Sequence, residues 1–460
     1  MSSGYQNRNL TRREFLHRIT LAGGLALAAA CTQAPPAAPN PTAPSAKPTA
    51  AQLATAPAVG KETVVHFWHI FTDEKGRAAY DEVVANFQKA NPNISVKVNL
   101  VATEPYKTMI RSAVSSPDGP DVFYIWPGGS YLDPMAEAGA VLDLTPYITE
   151  FGWDKTINKF ALEQVKYKGR LYGVPNNLEK NQMWYNVKLF KDHGLEPPKT
   201  WEEFDSVAQD LKKKGIHPVV LGNKERWTAG HFATAMLGLY AGRKYIAEVA
   251  AEGKDRYDNQ KFVSALNHIQ ELIRKGHYAP GINAMDNAEA EILFFTGKAA
   301  MHFALATGEV RSMLTNAPTF QLDFFNLPPV SKDQPYTVCG GVTGTWAVAK
   351  NTRNPEATLK FLGYLMDVDA QKIIVKAAGR ISPVTAAVTP ETIHPILAKV
   401  TDDIGKVPDM TKWIEYYMSP AVNDAWLNGL QGVVDLSTPA EKFLAQLENI
   451  RQEDAKKPKS

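Results

Sequence analysis

Cysteine is nearly absent from this chain: Cys31 and Cys339 are the only two in 460 residues. With Cys31 in the leader discussed below, no disulfide is expected in the folded body. Cys339 lies among small residues, Thr337-Val338-Cys339-Gly340-Gly341, a setting that favours a buried small hydrophobe over a reactive thiol. Charge of one sign is also missing. The formal net charge is +2, and residues 1–30 alone carry +3, so the chain without them is at −1. Interspersed charges near neutrality leave no electrostatic footprint for nucleic acid. Beyond residue 30 no apolar run is long enough to cross a membrane as a helix. Catalytic signatures are lacking as well. There is no HExxH, no GxSxG turn and no phosphate-binding P-loop, and the Gly-Gly pairs lack dinucleotide-binding spacing. No catalytic residue, cofactor or metal is therefore expected.

The first 60 residues have a distinct character. Thr11-Arg12-Arg13-Glu14-Phe15-Leu16 precedes an uncharged stretch from Ile19 to Ala30 that stops at Cys31. The stretch is too short to span a bilayer and suits a signal-peptide core. The pattern resembles a twin-arginine export signal merged with a lipoprotein cleavage box, with Ala28 where such boxes favour leucine. It implies a mature chain that begins at Cys31, is lipidated there and works outside the membrane. The other reading of Cys31 is a small residue after a plain signal peptide. Residues 31–60 hold seven of the 31 prolines and one charge, Lys47. That composition cannot bury a core and reads as an extended tether.

The body from about Lys61 alternates strand and helix patterns. VVHFWHI (Val64–Ile70), ISVKVNLV (Ile94–Val101) and DVFYIW (Asp121–Trp126) read as strands. Between the first two, Tyr80, Val83, Val84 and Phe87 make one apolar helix face. This order predicts a parallel sheet flanked by helices, an α/β fold. Short strands are predicted over Leu171–Pro175, Gln182–Asn186, Ala299–Phe303 and Thr345–Ala349. Helices are predicted from Trp201 to about Lys275 and over Pro355–Met366 and Ala370–Ala378. Thr200 and Glu203 have the spacing of a capping box.

Several segments, in order, carry a resemblance. They are Gly119-Pro120-Asp121-Val122, Leu171-Tyr172-Gly173-Val174-Pro175 leading to Trp184-Tyr185-Asn186, LEPPKTWEEF (Leu195–Phe204), Gly340–Lys350 and Asn354-Pro355-Glu356-Ala357. Together, behind an export signal, they resemble the maltose-binding-protein-like extracellular solute-binding proteins of ABC-type sugar importers. The resemblance covers nearly all of Lys61–Asn449. It implies the two-lobe periplasmic-binding-protein type II fold. One lobe would take residues 61–183 and 303–342, the other 187–300 and 343–456. The hinge would use Met183–Val187, Ala300–Phe303 and Gly341–Thr345. It also implies a monomer that binds carbohydrate in an interlobe cleft and delivers it to a membrane permease.

Sugars present hydroxyl rims and apolar C–H faces, so their binders need aromatic platforms and polar side chains. Parallel sheets bind ligands beyond the carboxyl ends of their strands. Trp126, Gly128 and Gly129 follow one strand end; His69 and Glu74 follow another, where a structural histidine and a surface charge are the alternatives. The resemblance places Glu179, with Asn181 nearby, beside the first crossover, and gives Glu225 and Trp227 the spacing of an acid-then-aromatic pair. Arg380, Trp413 and Tyr417 are further candidates, the last two equally readable as a helix packing face. Residues 304–307 read ALAT, without the aromatic that some relatives place there. Two other readings stay open: an exported glycoside hydrolase using Glu179 and Glu225, and a binder of a phosphorylated polyol or a peptide.

Overall fold

The computed structural model describes residues 63–303, 307–332, 336–407 and 409–457. The expected export signal, Cys31, the tether and residues 304–306 lie outside them. The chain opens with β1 (Thr63–His69), α1 (Glu74–Ala90), β2 (Ile94–Leu100), α2 (Thr103–Ala113) and β3 (Val122–Ile125). After short helices come β4 (Val174–Lys180), β5 (Met183–Asn186), α3 (Trp201–Lys213), β6 (His217–Val220), α4 (Trp227–Ala250) and α5 (Gln260–Arg274). Next are α6 (Asn287–Phe295), β7 (Ala299–Phe303), α7 (Thr307–Asn316), β8 (Leu322–Phe325) and β9 (Thr337–Val348). The last part holds α8 (Pro355–Leu365), α9 (Val368–Ala378), α10 (Pro395–Lys406), β10 (Asp409–Thr411), α11 (Pro420–Val434) and α12 (Ala440–Asp454).

Two sheets organise these elements. The first runs β10-β9-β3-β1-β2, with β4 also on β9; the second runs β8-β5-β7-β6. β1 pairs parallel with β2 from Thr63↔Ile94 to His69↔Leu100, and parallel with β3 at Phe67↔Val122. β9 runs antiparallel to β3 and to β4. Helix α1 starts because the Asp73 carboxylate accepts the Gly76 N–H at 2.7 Å, and it buries Ala79, Tyr80, Val83, Val84 and Phe87. The cap of α3 differs from the expected box. Thr200 accepts the Glu203 N–H at 3.2 Å, but the Glu203 carboxylate accepts from Lys199 N at 2.6 Å, one residue before the cap. The Asp286–Glu289 pair at the start of α6 forms the reciprocal box.

Sheet membership corrects the expected partition. β8, placed with the first lobe, pairs with β5 in the second sheet. Thr345–Val348, placed with the second lobe, pair with β3 in the first. α8 and α9 pack on α1 and, for α8, on β1 as well, while α11 and α12 pack on α4 and α5. Two of the expected hinge segments, Met183–Val187 and Ala300–Phe303, fall almost wholly on β5 and β7, interior strands with partners on both edges. The chain instead leaves the first sheet at Asn181-Gln182, between β4 and β5. There Lys180, 3% exposed, binds Asp403 of α10 at 2.9 Å and the amide oxygen of Asn326 just after β8.

Asp121 accounts for one of the sequence segments singled out above. Buried ahead of β3, it accepts the His66 N–H at 2.8 Å and the Thr352 hydroxyl at 2.6 Å. It thereby ties β1 to the turn after β9. Removing it takes the carboxylate partner from the half-buried His66 N–H and leaves the Thr352 hydroxyl only Thr358. Asp121→Ala is expected to cost about 3 kcal/mol, read as a lowered urea midpoint at unchanged slope; a change under about 0.5 kcal/mol would contradict this role.

Candidate functional site

A cavity of about 530 Å³ lies between the sheets, lined from both sides. From the first sheet and its helices come Phe71, Asp73, Glu104, Lys107, Tyr124, Trp126, Tyr131, Glu179 and Arg380; from the second-sheet side come Glu225, Trp227, His231, Asn287 and Glu291. Thr343, Glu309, Glu415 and Tyr416 complete it. A larger hollow of about 750 Å³ is lined only by residues 212–218, 273–284 and 434–436. It touches one lobe and gathers few polar groups, so the interlobe cavity is the better candidate site.

The sequence places the aromatic wall at strand ends. Trp126 follows β3, edge-on to Tyr124 at 5.1 Å and beside Tyr131 at 5.3 Å, with the Lys107 ammonium 5.3 Å from its ring. The Tyr124 and Tyr416 hydroxyls both donate to the Thr343 carbonyl, at 3.1 and 3.2 Å. Gly344 is required here, because a Cβ would fall within the Tyr124 ring. Trp227 opens α4 on the opposite side, edge-on to His231 at 4.9 Å. The turn before it strains Arg226 into the left-handed region (φ 70°), the kind of cost that persists where position matters.

Acidic side chains outnumber basic ones: seven carboxyl groups line the cavity, against Lys107 and Arg380. Glu179 lies in β4, half-buried, and accepts from the Asn177 amide at 3.1 Å and the Thr307 hydroxyl at 3.3 Å. Burial pushes its pKa up to about 7, opposed by Arg380. Arg380 stacks on Phe71, its guanidinium carbon 4.0 Å from the ring centroid, and pairs with Asp73 at 3.5 Å. Its Nε and the Glu225 Oε2 are buried without partners. Glu415, 6% exposed, stands 4.0 Å from His231 and is raised by burial to about 7. Burial also lifts Glu291 to about 9, with Glu309 adding to the shift, and depresses His231 to about 3, keeping it neutral. Orphaned acceptors and donors around an aromatic box suit a ligand rich in hydroxyls.

Of the residues singled out in the sequence, Trp126, Glu179, Glu225, Trp227 and Arg380 converge on this cavity. Seven do not line it. His69 is buried in the Phe67–Phe71–Tyr80–Trp346 cluster, its Nδ1 accepting the Phe71 N–H at 3.3 Å and its pKa depressed to about 3 by burial. Glu74 is exposed in the first turn of α1, where it favours the helix dipole. Gly128 (φ 89°) and Gly129 pack against the backbone of residues 416–418, and Gly129 N donates to Tyr416 O. Asn181 accepts the Trp413 indole N–H at 2.8 Å, and Trp413 contacts His231 at 5.0 Å, so this pair supports the wall from behind. Tyr417 turns away under the Lys412 ammonium. The sequence reading missed Tyr124, Tyr131, His231, Glu291 and Glu415. Tyr416 reaches the cavity, whereas its neighbours Trp413 and Tyr417 do not.

The raised Glu179 means the native chain holds a proton that the unfolded chain has lost between the usual carboxylate value of 4.5 and about 7. This group's contribution to stability therefore falls as pH rises through that window. Relative to Glu179→Gln, the unliganded wild type should lose melting temperature from about pH 5 to about pH 7.5. Parallel melting curves across that range would show that Glu179 titrates normally.

Residues 72–372 match the bacterial extracellular solute-binding protein family. An ABC transporter extracellular-binding protein of Pyrococcus horikoshii is 25% identical over 381 residues, 81% of this chain and 80% of the relative. A multiple sugar-binding protein of Streptococcus mutans is 24% identical, covering 65% and 72%. A solved chitin oligosaccharide binding protein superposes with a TM-score of 0.79 at 20% identity, covering 86% of this chain and 99% of that one. The solute-binding protein RafE, solved with raffinose, gives 0.69 at 19% identity, covering 84% and 100%. The two-sheet fold, the interlobe cavity and a match over most of the chain agree: this chain belongs to the bacterial extracellular solute-binding protein family.

Proposed function

We propose that this protein captures a carbohydrate, a mono- or oligosaccharide, between its lobes and delivers it unchanged to the permease of an ABC importer. The observation that carries this reading is the cavity itself, with Trp126 and Tyr131 on one side, Trp227 on the other and carboxylates around them. Aromatic faces take C–H patches of the sugar, and charged acceptors strengthen bonds from its hydroxyls in a closed site. The relatives named for sugars point the same way. A phosphorylated ligand fits poorly, because it would enter beside Asp73, Glu104 and Glu225 with Arg380 already paired to Asp73. The family is one of binding proteins, and we read this member as non-catalytic. Export through the twin-arginine signal, lipidation at Cys31 and action as a monomer on the outer side of the membrane belong to the same reading.

Ligand touching both lobes favours the closed form by population shift. Calorimetric titration of the full chain with a sugar panel should find a saturable ligand, and Trp227→Ala should weaken it by about 1 kcal/mol, roughly fivefold. Unchanged affinity in a folded variant would remove Trp227 from the site. Hydroxyls donating to Glu179 stabilise its charged form, so binding lowers its pKa from about 7 and releases protons. Affinity should therefore rise with pH up to about 7 and level off above it, and Glu179→Gln should flatten the profile. A wild-type profile already flat would place Glu179 outside the hydrogen-bonding set.

A further inference from the structure

A second compartment of about 220 Å³ opens beside the main cavity and shares Glu104, Lys107, Tyr131 and Glu225 with it. It, too, lies between the lobes. Helix α2 forms one wall; the strained turn before α4 and the start of α11 form the other. Its charges balance, Lys107, Arg111 and Arg226 against Glu104, Glu225 and Asp424, unlike the acid-rich main cavity. Two acceptors here have no partner. Asn423, 2% exposed, leaves its amide oxygen unpaired, and so does Glu225 its Oε2. The Asn423 NH₂ donates to the Tyr131 hydroxyl at 3.4 Å. Arg226 is held by Asn428 at 2.6 Å.

Buried acceptors without partners call for O–H or N–H donors. A carboxylate supplies none and a phosphate at most one or two, and a balanced set of charges gives an ion no net attraction. A neutral polyol unit supplies several donors. Because four side chains border both spaces, a unit held here lies next to a sugar seated in the main cavity and can belong to the same molecule. We propose that this compartment is a branch site, which takes a neutral sugar side unit of a branched oligosaccharide whose main chain occupies the principal cavity. The proposal rests on the carbohydrate reading above. A unit held between α2 and α11 touches both lobes, so it adds to closure as well as to contact.

The test is calorimetric titration of the full chain with matched pairs: xylotriose, maltotriose and mannotriose, each against its derivative with one neutral arabinosyl, glucosyl or galactosyl branch. At least one branched member should bind about tenfold or more tightly than its linear partner, the effect of roughly two neutral hydrogen bonds. Thr108→Trp, at an exposed position of α2 lining the compartment, should bring the branched-to-linear ratio close to one. Asn423→Leu should lower the same ratio. Linear sugars that bind with no gain from any branch would overturn the branch site and leave the proposed function intact. A gain that survives Thr108→Trp would also overturn it. If no member of any pair binds, the branch site falls, and the sugar panel above decides the proposed function separately.

Discussion

The strand β9 is the constraint on which the site depends. Its backbone groups must all be paired, and it changes partners along its length. Thr337–Cys339 pair with β10 and Thr345–Val348 with β3, while β4 runs alongside from Gly340 to Trp346. The register shifts around Gly344, and there the Thr343 carbonyl takes two tyrosine hydroxyls in place of a strand partner. One irregularity thus sets Tyr124 and Tyr416 in the cavity wall. The same pairing holds β4 in place and with it Glu179, opposite Gly341.

From that strand outward the cavity is built in layers. Buried aromatic clusters fix the wall, as around Trp346, and polar links fix the parts that cross between sheets. Asn181 and Trp413 brace His231, and His231 braces Trp227. Lys180 joins Asp403 and Asn326 next to the first crossover. The inner surface is left with raised carboxyl groups and unpaired atoms, which cost free energy in the empty protein. A ligand bearing many hydroxyls relieves that cost and so favours the form that holds it between the lobes.

Much of this was readable in the chain. The early strand–helix alternation is strong because β1, β2 and β3 are apolar or alternating and α1 has a continuous buried face. Trp126 and Trp227 stand out as aromatics next to turns. Strand β4 was not readable beyond Pro175: VPNNLEK is rich in residues that disfavour strands, and it forms only because β9 arrives to pair with it. Lobe assignment failed for β8 and for the end of β9 because each return of the chain between sheets is set by pairing with distant strands. His231 and Glu415 carry no local signal, since their proximity is made by the packing of α4 against the segment before α11. His69 and Glu74 illustrate the converse, residue types suited to a site but spent on a core cluster and a helix end.

The central claim is that a sugar binds between the lobes and leaves unaltered. Tryptophan fluorescence of the full chain, titrated with mono- and oligosaccharides and followed by chemical analysis of the recovered sugar, tests it most directly, because Trp126 and Trp227 face the cavity from opposite sides. The account predicts a saturable spectral change with one class of sugar and full recovery of that sugar intact. A sugar recovered as cleavage products, or no response to any sugar alongside a response to a phosphorylated polyol or a peptide, would contradict it.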